Sequence, residues 1–130
     1  MVERVPRIRR APLPADAVIV VRADDLIEGS SRLQAEEFRR RYPGWDRWGL
    51  SGFFARNETD VEDLAADRLE RFPVLRLYRP SVLEEVGFQI VPTFRTPHVT
   101  LAFGGDLDLW IDKLRTAEHV ERTNPYHESD

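Results

Sequence analysis

The sharpest chemical pattern in the chain is Pro97-His98-Val99-Thr100-Leu101-Ala102-Phe103. Strand alternation puts His98 and Thr100 on one face. There an imidazole moves a proton while a hydroxyl holds a phosphate oxygen. Arg22 closes the apolar run Ala17-Val18-Ile19-Val20-Val21. A guanidinium at the edge of a core is held rigidly and offers a fork to phosphate or carboxylate. Arg95 lies in Pro92-Thr93-Phe94-Arg95-Thr96-Pro97, a connection braced by two prolines, and Arg79 follows Arg76 by three residues. If Arg22, Arg79 and Arg95 converge, they form an anion site for a nucleotide or an RNA phosphate. The plainer alternative is a set of surface arginines paired with some of the 23 acidic residues, a weak kind of contact. For Arg22 the plain partner is Asp24 or Asp25.

Other residues add less. Trp45 and Trp48 flank Asp46-Arg47; in a loop they would stack a base or a nicotinamide, and otherwise they cover the core. His98, His119 and His127 lack metal-ligand spacing, so no metal is expected. The sequence has no phosphate-loop, dinucleotide-fold, nucleophile-elbow or zincin motif, which disfavours those enzyme classes.

These residues need a scaffold, and the periodicities supply one. Residues 1–15 hold Pro6, Pro12 and Pro14 without a clear period and read as an extended basic arm. Ala17 to Val21 is β-branched and continuous, a strand buried on both faces. Ser31 with Gln34 makes a capping box for a helix carrying Ala35, Phe38 and Tyr42 on one face, stopped by Pro43-Gly44. Leu50 to Phe54 reads as a second strand. Thr59 with Glu62 opens a helix in which Val61, Leu64, Ala65, Leu69 and Phe72 keep a helical period. Val74 to Tyr78 is a third strand, Ser81 to Val86 a short helix ended by Gly87, and Phe88 to Val91 and His98 to Phe103 the fourth and fifth strands. Leu107, Trp110, Ile111 and Leu114 mark a last helix. The expectation is an α+β (or α/β) domain over 16–116, with one mixed sheet of about five strands in the order β-α-β-α-β-α-β-β-α. Residues 117–130 read as an acidic tail.

Composition sets the outer bounds. At 130 residues the chain holds one domain and one sizeable core. It has no cysteine, so disulfides and thiolate chemistry are out. The start has arginines but no apolar stretch of signal-peptide type, and the longest apolar run is too short to span a bilayer, so a cytoplasmic protein without membrane partners is expected. Net charge is −4, which disfavours a general nucleic-acid binder. Of 19 basic residues only Lys113 is a lysine. Arginine and alanine usage of this kind suggests a GC-rich bacterial genome.

Three resemblances add to this reading. Val20-Val21-Arg22-Ala23-Asp24 resembles the first strand of Arg-Ser-Glu ADP-ribosyltransferases, whose arginine supports the NAD nucleotide. In that comparison Ser51, in Gly49-Leu50-Ser51-Gly52-Phe53, matches the family's serine, and Glu84, Glu85 and Glu118 are the candidates for its glutamate. Pro97-His98-Val99-Thr100 looks like one H-x-T strand of the 2H phosphoesterases; that family uses two such motifs, and neither His119 nor His127 supplies a second. The chain as a whole resembles a group of short actinobacterial proteins without an assigned activity. The stretches that carry this include Tyr42 through Phe53, Arg68 to Phe72, Val91 to Arg95 and Asn124-Pro125-Tyr126-His127. That resemblance implies a free-standing accessory protein.

The leading expectation is a small enzyme that binds a nucleotide or NAD-like ligand, with NAD as the candidate cofactor. It fits the toxin of a toxin–antitoxin pair, whose protein partner is the cognate antitoxin. Here Arg22, Arg79 and Arg95 bind the ligand, and Ser51, His98 and Thr100 carry the chemistry. One alternative is an RNA-directed phosphoesterase or ribonuclease centred on His98. The other is a non-catalytic binding or structural module.

Overall fold

Five apolar residues in a row put the first strand at the middle of the sheet. In the computed structural model, which describes residues 4–10, 12–23 and 30–127, strand β1 (Val18–Arg22) lies between β2 (Trp48–Ala55) and β3 (Val74–Tyr78). Its Ile19, Val20 and Val21 are all buried. Beyond β2 come β5 (His98–Phe103) and then β4 (Gln89–Pro92), and beyond β3 comes β6 (Val120–Thr123). The α+β class holds. Among the described residues all pairings are antiparallel rather than mixed, and the strands number six. The sixth, Val120-Glu121-Arg122-Thr123, falls in the stretch read as an acidic tail and pairs with β3. It is mostly exposed and polar; pairing to β3, and not apolar alternation, is what makes it a strand.

The helices are α1 (Ser30–Arg41), α2 (Glu58–Ala66), α3 (Pro80–Val86) and α4 (Leu107–Thr116), with a 3-10 turn over Pro43–Trp45. The strand period of two divides β1 between two cores. Ile19 and Val21 join Leu50, Leu101, Leu83 and Leu114 on one face, under α3 and α4. Val20 joins Ala55, Leu75 and the α2 residues Val61, Leu64 and Ala65 on the other. Gly87 takes φ +112 at the end of α3, a left-handed cap that suits glycine.

Both ends of α2 differ from the sequence expectation. The cap of α2 is Asn57, whose side chain accepts from the Asp60 amide at 2.9 Å, and not Thr59. The helix also stops at Ala66, so Leu69 and Phe72 pack from turns. The reason is Asn124, buried at 3 % exposure. Its amide nitrogen donates to the carbonyls of Ala65, Leu69 and Phe72 at 3.0, 3.0 and 3.2 Å. Those acceptors are satisfied without a further helical turn.

Beside the sheet, α1 occupies a splay. The β1–β2 register runs Val18↔Ala55 to Val20↔Phe53 and goes no further. Past it, the Ser51 amide donates to Oε1 of Gln34 on α1 at 3.3 Å. Gly49 lets this helix approach closely, because a Cβ there would lie 2.6 Å from the Phe38 ring. No described helix is long and apolar enough to cross a membrane.

Candidate active site

The β4–β5 hairpin builds the site. Its two strands are joined by Thr93-Phe94-Arg95-Thr96-Pro97, with Thr93 N–H donating to the His98 carbonyl at 3.2 Å and His98 N–H to that of Arg95 at 2.8 Å. Phe94 takes φ +58, a left-handed conformation that a bulky residue adopts only when its surroundings impose it. Here its amide donates to the Arg7 carbonyl at 2.9 Å and its ring lies 5.8 Å from that of Tyr42. The arm therefore contributes directly: Ile8 bridges Thr93, and Arg9 Nη1 donates to the carbonyls of Thr93 and His98 at 2.5 and 2.8 Å.

Four polar side chains meet on the face that this hairpin shares with β2. Ser51 Oγ is 3.1 Å from His98 Nε2. His98 Nδ1 is 2.9 Å from Thr93 Oγ1, which is 2.6 Å from Thr100 Oγ1. Thr93 and Thr100 are buried, while Ser51 and His98 are half-buried. The strand period explains the grouping: Ser51 is directly opposite Thr100, and His98 opposite Phe53. The ring of Phe53 meets His98 edge-on at 5.3 Å, and that of Phe94 is 5.1 Å away.

This setting holds His98 neutral. Burial pushes its pKa down to about 4, a hydrogen bond from the ring to the Thr93 backbone opposes this, and the charges of Arg9 and Arg68 push it down further. A neutral imidazole carries one N–H. In the tautomer with that proton on Nδ1, His98 donates to Thr93, Thr93 donates to Thr100, and Nε2 accepts from the Ser51 hydroxyl. This is a hydroxyl, a base and an orienting group in line. The orienting group is a hydroxyl and not a carboxylate, so among the described residues no negative charge is hydrogen-bonded to the ring to stabilise an imidazolium.

The expected catalytic set, Ser51, His98 and Thr100, is thus one hydrogen-bonded cluster. The expected ligand arginines divide. Arg22 lies on the same face of β1 as Val20, with its guanidinium 4.9 Å over the Phe72 ring, but β1 and β2 have parted at this point and no strand pairing sets it against Ser51. The alternative pairing of Arg22 with Asp24 or Asp25 falls on residues outside those described. Arg95 is exposed in the loop leading to His98. Arg79 does not join the cluster. It caps α3 and reaches Glu118 at 3.1 Å on the surface. That pairing also occupies Glu118, while Glu84 and Glu85 are exposed on α3. The tryptophans cover the core: Trp48 donates to the Gly105 carbonyl at 2.9 Å, and Trp45 packs 5.8 Å from Phe38.

Sequence reasoning missed Thr93, Arg9 and Arg68. Thr93 stands where a short hairpin would set it beside His98, a signal the two prolines already gave. Arg9 is 84 positions from Thr93, and nothing local announces that contact. A cavity of about 530 Å³ is lined by Arg9, Phe54, Leu64, Arg68, Thr96 and Pro97, among others, and by none of the four cluster residues. Its size is ordinary for a small-molecule site. Among the described residues no group of three His, Cys, Asp or Glu is arranged to hold a metal ion.

No family model, no curated protein and no solved structure matches the chain.

Proposed function

We propose that this chain is a small cytoplasmic enzyme acting on a nucleotide or NAD-like ligand, with its chemistry at the Ser51–His98 pair. The observation that carries this reading is the line Ser51 Oγ, His98, Thr93, Thr100, with contacts of 3.1, 2.9 and 2.6 Å. His98 Nε2 takes the hydroxyl proton, and the oxygen so activated attacks the electrophilic carbon or phosphorus of the ligand. The leaving group departs with the bonding pair and recovers the proton from His98. Arg22 and Arg95 meet the ligand's phosphates. As the toxin of a toxin–antitoxin pair, the enzyme would be held in check by its cognate antitoxin.

Two experiments test the reading. Titration calorimetry with NAD and with nucleotides at up to millimolar concentration should give binding; its complete absence would sink the proposal. Induced expression in a bacterial host should arrest growth for the wild type and not for an Arg22→Ala, His98→Ala variant of matched folding.

A second reading draws on the same-face placement of His98 and Thr100. In an RNA-directed phosphoesterase, a ribose hydroxyl takes the place of the Ser51 oxygen at Nε2. RNA or cyclic-phosphate cleavage that survives Ser51→Ala but not His98→Ala would favour it. A non-catalytic module would leave alanine variants at Arg22, Ser51 and His98 altered in stability alone.

A further inference from the structure

Basic residues of the arm and of α1 are brought together by backbone contacts. From residue 4 to residue 15 the sequence has four arginines and no acid, and α1 ends on Arg39, Arg40 and Arg41. The Gly44 amide, in the turn after α1, donates to the Arg4 carbonyl at 2.9 Å, and the Phe94 amide donates to that of Arg7 at 2.9 Å. Ile8 then bridges Thr93, and the Arg9 amide donates to the Pro92 carbonyl at 2.8 Å, so the arm meets the hairpin at the end of β4, the edge strand. Arg9 turns its guanidinium to the carbonyls of Thr93 and His98. Arg4, Arg7, Arg10 and Arg41 are exposed, and among the described residues their side chains meet no carboxylate. Arg39 and Arg40, by contrast, are paired with Asp46 and Glu37 at 2.9 and 3.0 Å.

Six residue steps of backbone span at most about 22 Å, so Arg4, Arg7 and Arg10 lie on one short track, which starts beside the end of α1 and Arg41. Val5 and Ile8, 56 % and 51 % exposed, stand between these arginines. The half-buried rings of Tyr42 and Phe94 meet at 5.8 Å where the arm passes from α1 to the hairpin. We propose that this track is a docking surface for a single-stranded nucleic acid, whose phosphates meet Arg4, Arg7, Arg10 and Arg41 and whose bases lie on the apolar residues between them. A guanidinium is a planar fork that matches a phosphate with two N–H groups. Charge alternating with apolar surface suits a strand whose phosphates alternate with bases. An acidic peptide leaves Val5 and Ile8 without a role. A bilayer calls for more apolar area than two side chains on an arm tied down by its backbone. The net charge of −4 does not oppose binding on one face. Acids such as Glu58, Asp60, Glu62 and Asp63 of α2 repel a polyanion and confine it to the basic track. The surface goes beyond the Ser51–His98 chemistry and stands whether or not that pair is catalytic.

The test is fluorescence anisotropy of a short labelled oligouridylate with the full chain, read across salt concentration. Affinity should fall with salt at a log–log slope of about −3, the value for four phosphate contacts on a single strand. Arg4→Ala with Arg7→Ala should weaken binding at low salt by about tenfold or more and bring the slope to about −1.4. Arg10→Ala with Arg41→Ala should do the same, and a thermal melt shows that each pair of substitutions leaves the chain folded. Arg79→Ala removes an arginine paired with Glu118 and should leave affinity and slope unchanged. No binding at about 10⁻⁴ M protein, the weak end of non-specific affinity, overturns the proposal. So does unchanged affinity in both paired variants. Polyglutamate of matched charge that competes as well as the oligouridylate would overturn it in favour of an acidic peptide. Retention on vesicles of anionic phospholipid without binding of the oligouridylate would overturn it in favour of a membrane.

Discussion

Ser51 and His98 are diagonal neighbours on β2 and β5, joined at 3.1 Å although neither is the other's cross-strand partner. Ser51 is paired with Thr100, two residues along from His98. The diagonal leaves the seat opposite His98 to Phe53, whose ring packs against the imidazole at 5.3 Å. Replacing His98 by alanine should lower turnover of whatever ligand binds by about 10²–10⁴-fold, the usual contribution of a positioned base. Ser51→Ala should lower it comparably while costing only about 1 kcal/mol of stability, because Nε2 loses one partner in a half-open site. Equal loss of turnover and of folding in the two variants would make the pair structural.

The pKa of His98 has a consequence for acid stability. An unfolded imidazole titrates near 6.5, and in the folded chain burial pushes this one down to about 4. The folded state therefore binds fewer protons between those values. Its stabilising contribution is complete above about pH 6.5 and is lost as pH falls through that window towards 4. Discounted for the solvent that still reaches the ring, the loss is about 1–2 kcal/mol. Urea unfolding at pH 7 and at pH 4.5 should show the wild type losing that much more than His98→Gln. Parallel losses in the two proteins would refute it. By the same sign, turnover that needs neutral His98 should stay level from pH 8 to pH 5 and fall only near pH 4.

What the sequence made legible follows from where local pattern and tertiary pairing agree. Strands β3 and β5 stand at Val74–Tyr78 and His98–Phe103, as their patterns required, since prolines at 73 and 97 fix where each begins. His98 and Thr100 could be set on one face for the same reason. The end of α2 and the strand β6 were not legible. Leu69 and Phe72 keep helical spacing, yet a residue over 50 positions away caps the carbonyls and ends the helix. In β6, Glu121 and Arg122 have no strand pattern of their own and rely on β3. The arm's role was hidden likewise: Arg9 reads as one more surface arginine until the hairpin carbonyls are placed around it.

Gly49 tests how tightly α1 is seated. An alanine Cβ would lie 2.6 Å from two Phe38 ring carbons and 2.8 Å from a third. That ring cannot simply turn aside, being 5.0 Å from Tyr42 and 5.8 Å from Trp45. Gly49→Ala should destabilise by about 2 kcal/mol, in the range of overpacked cores. Phe38→Leu leaves a smaller side chain over the same spot. Combined, the two substitutions should cost less than the sum of each alone, since they share one contact. Strict additivity in a denaturant double-mutant cycle would show that α1 relaxes away instead.

Asn124 carries a prediction with a chemical control. Its Nδ2 donates to three carbonyls, its Oδ1 accepts from the Tyr126 amide at 3.0 Å, and its own amide donates to Pro73 at 2.8 Å. Alanine keeps only the last contact and leaves buried carbonyls at Ala65 and Leu69 without this donor. At about 1–3 kcal/mol for a buried group left unmet, Asn124→Ala should cost about 3 kcal/mol in urea unfolding. Asn124→Asp has nearly the same shape but turns an oxygen towards those carbonyls. With donor replaced by acceptor and a charge brought into a buried site, it should be at least as damaging as alanine at pH 7. It should recover part of the loss at low pH, where a protonated carboxyl donates once. An aspartate variant as stable as the wild type at pH 7 would show that side-chain shape, and not donation from Nδ2, ends α2 and seats the final strand.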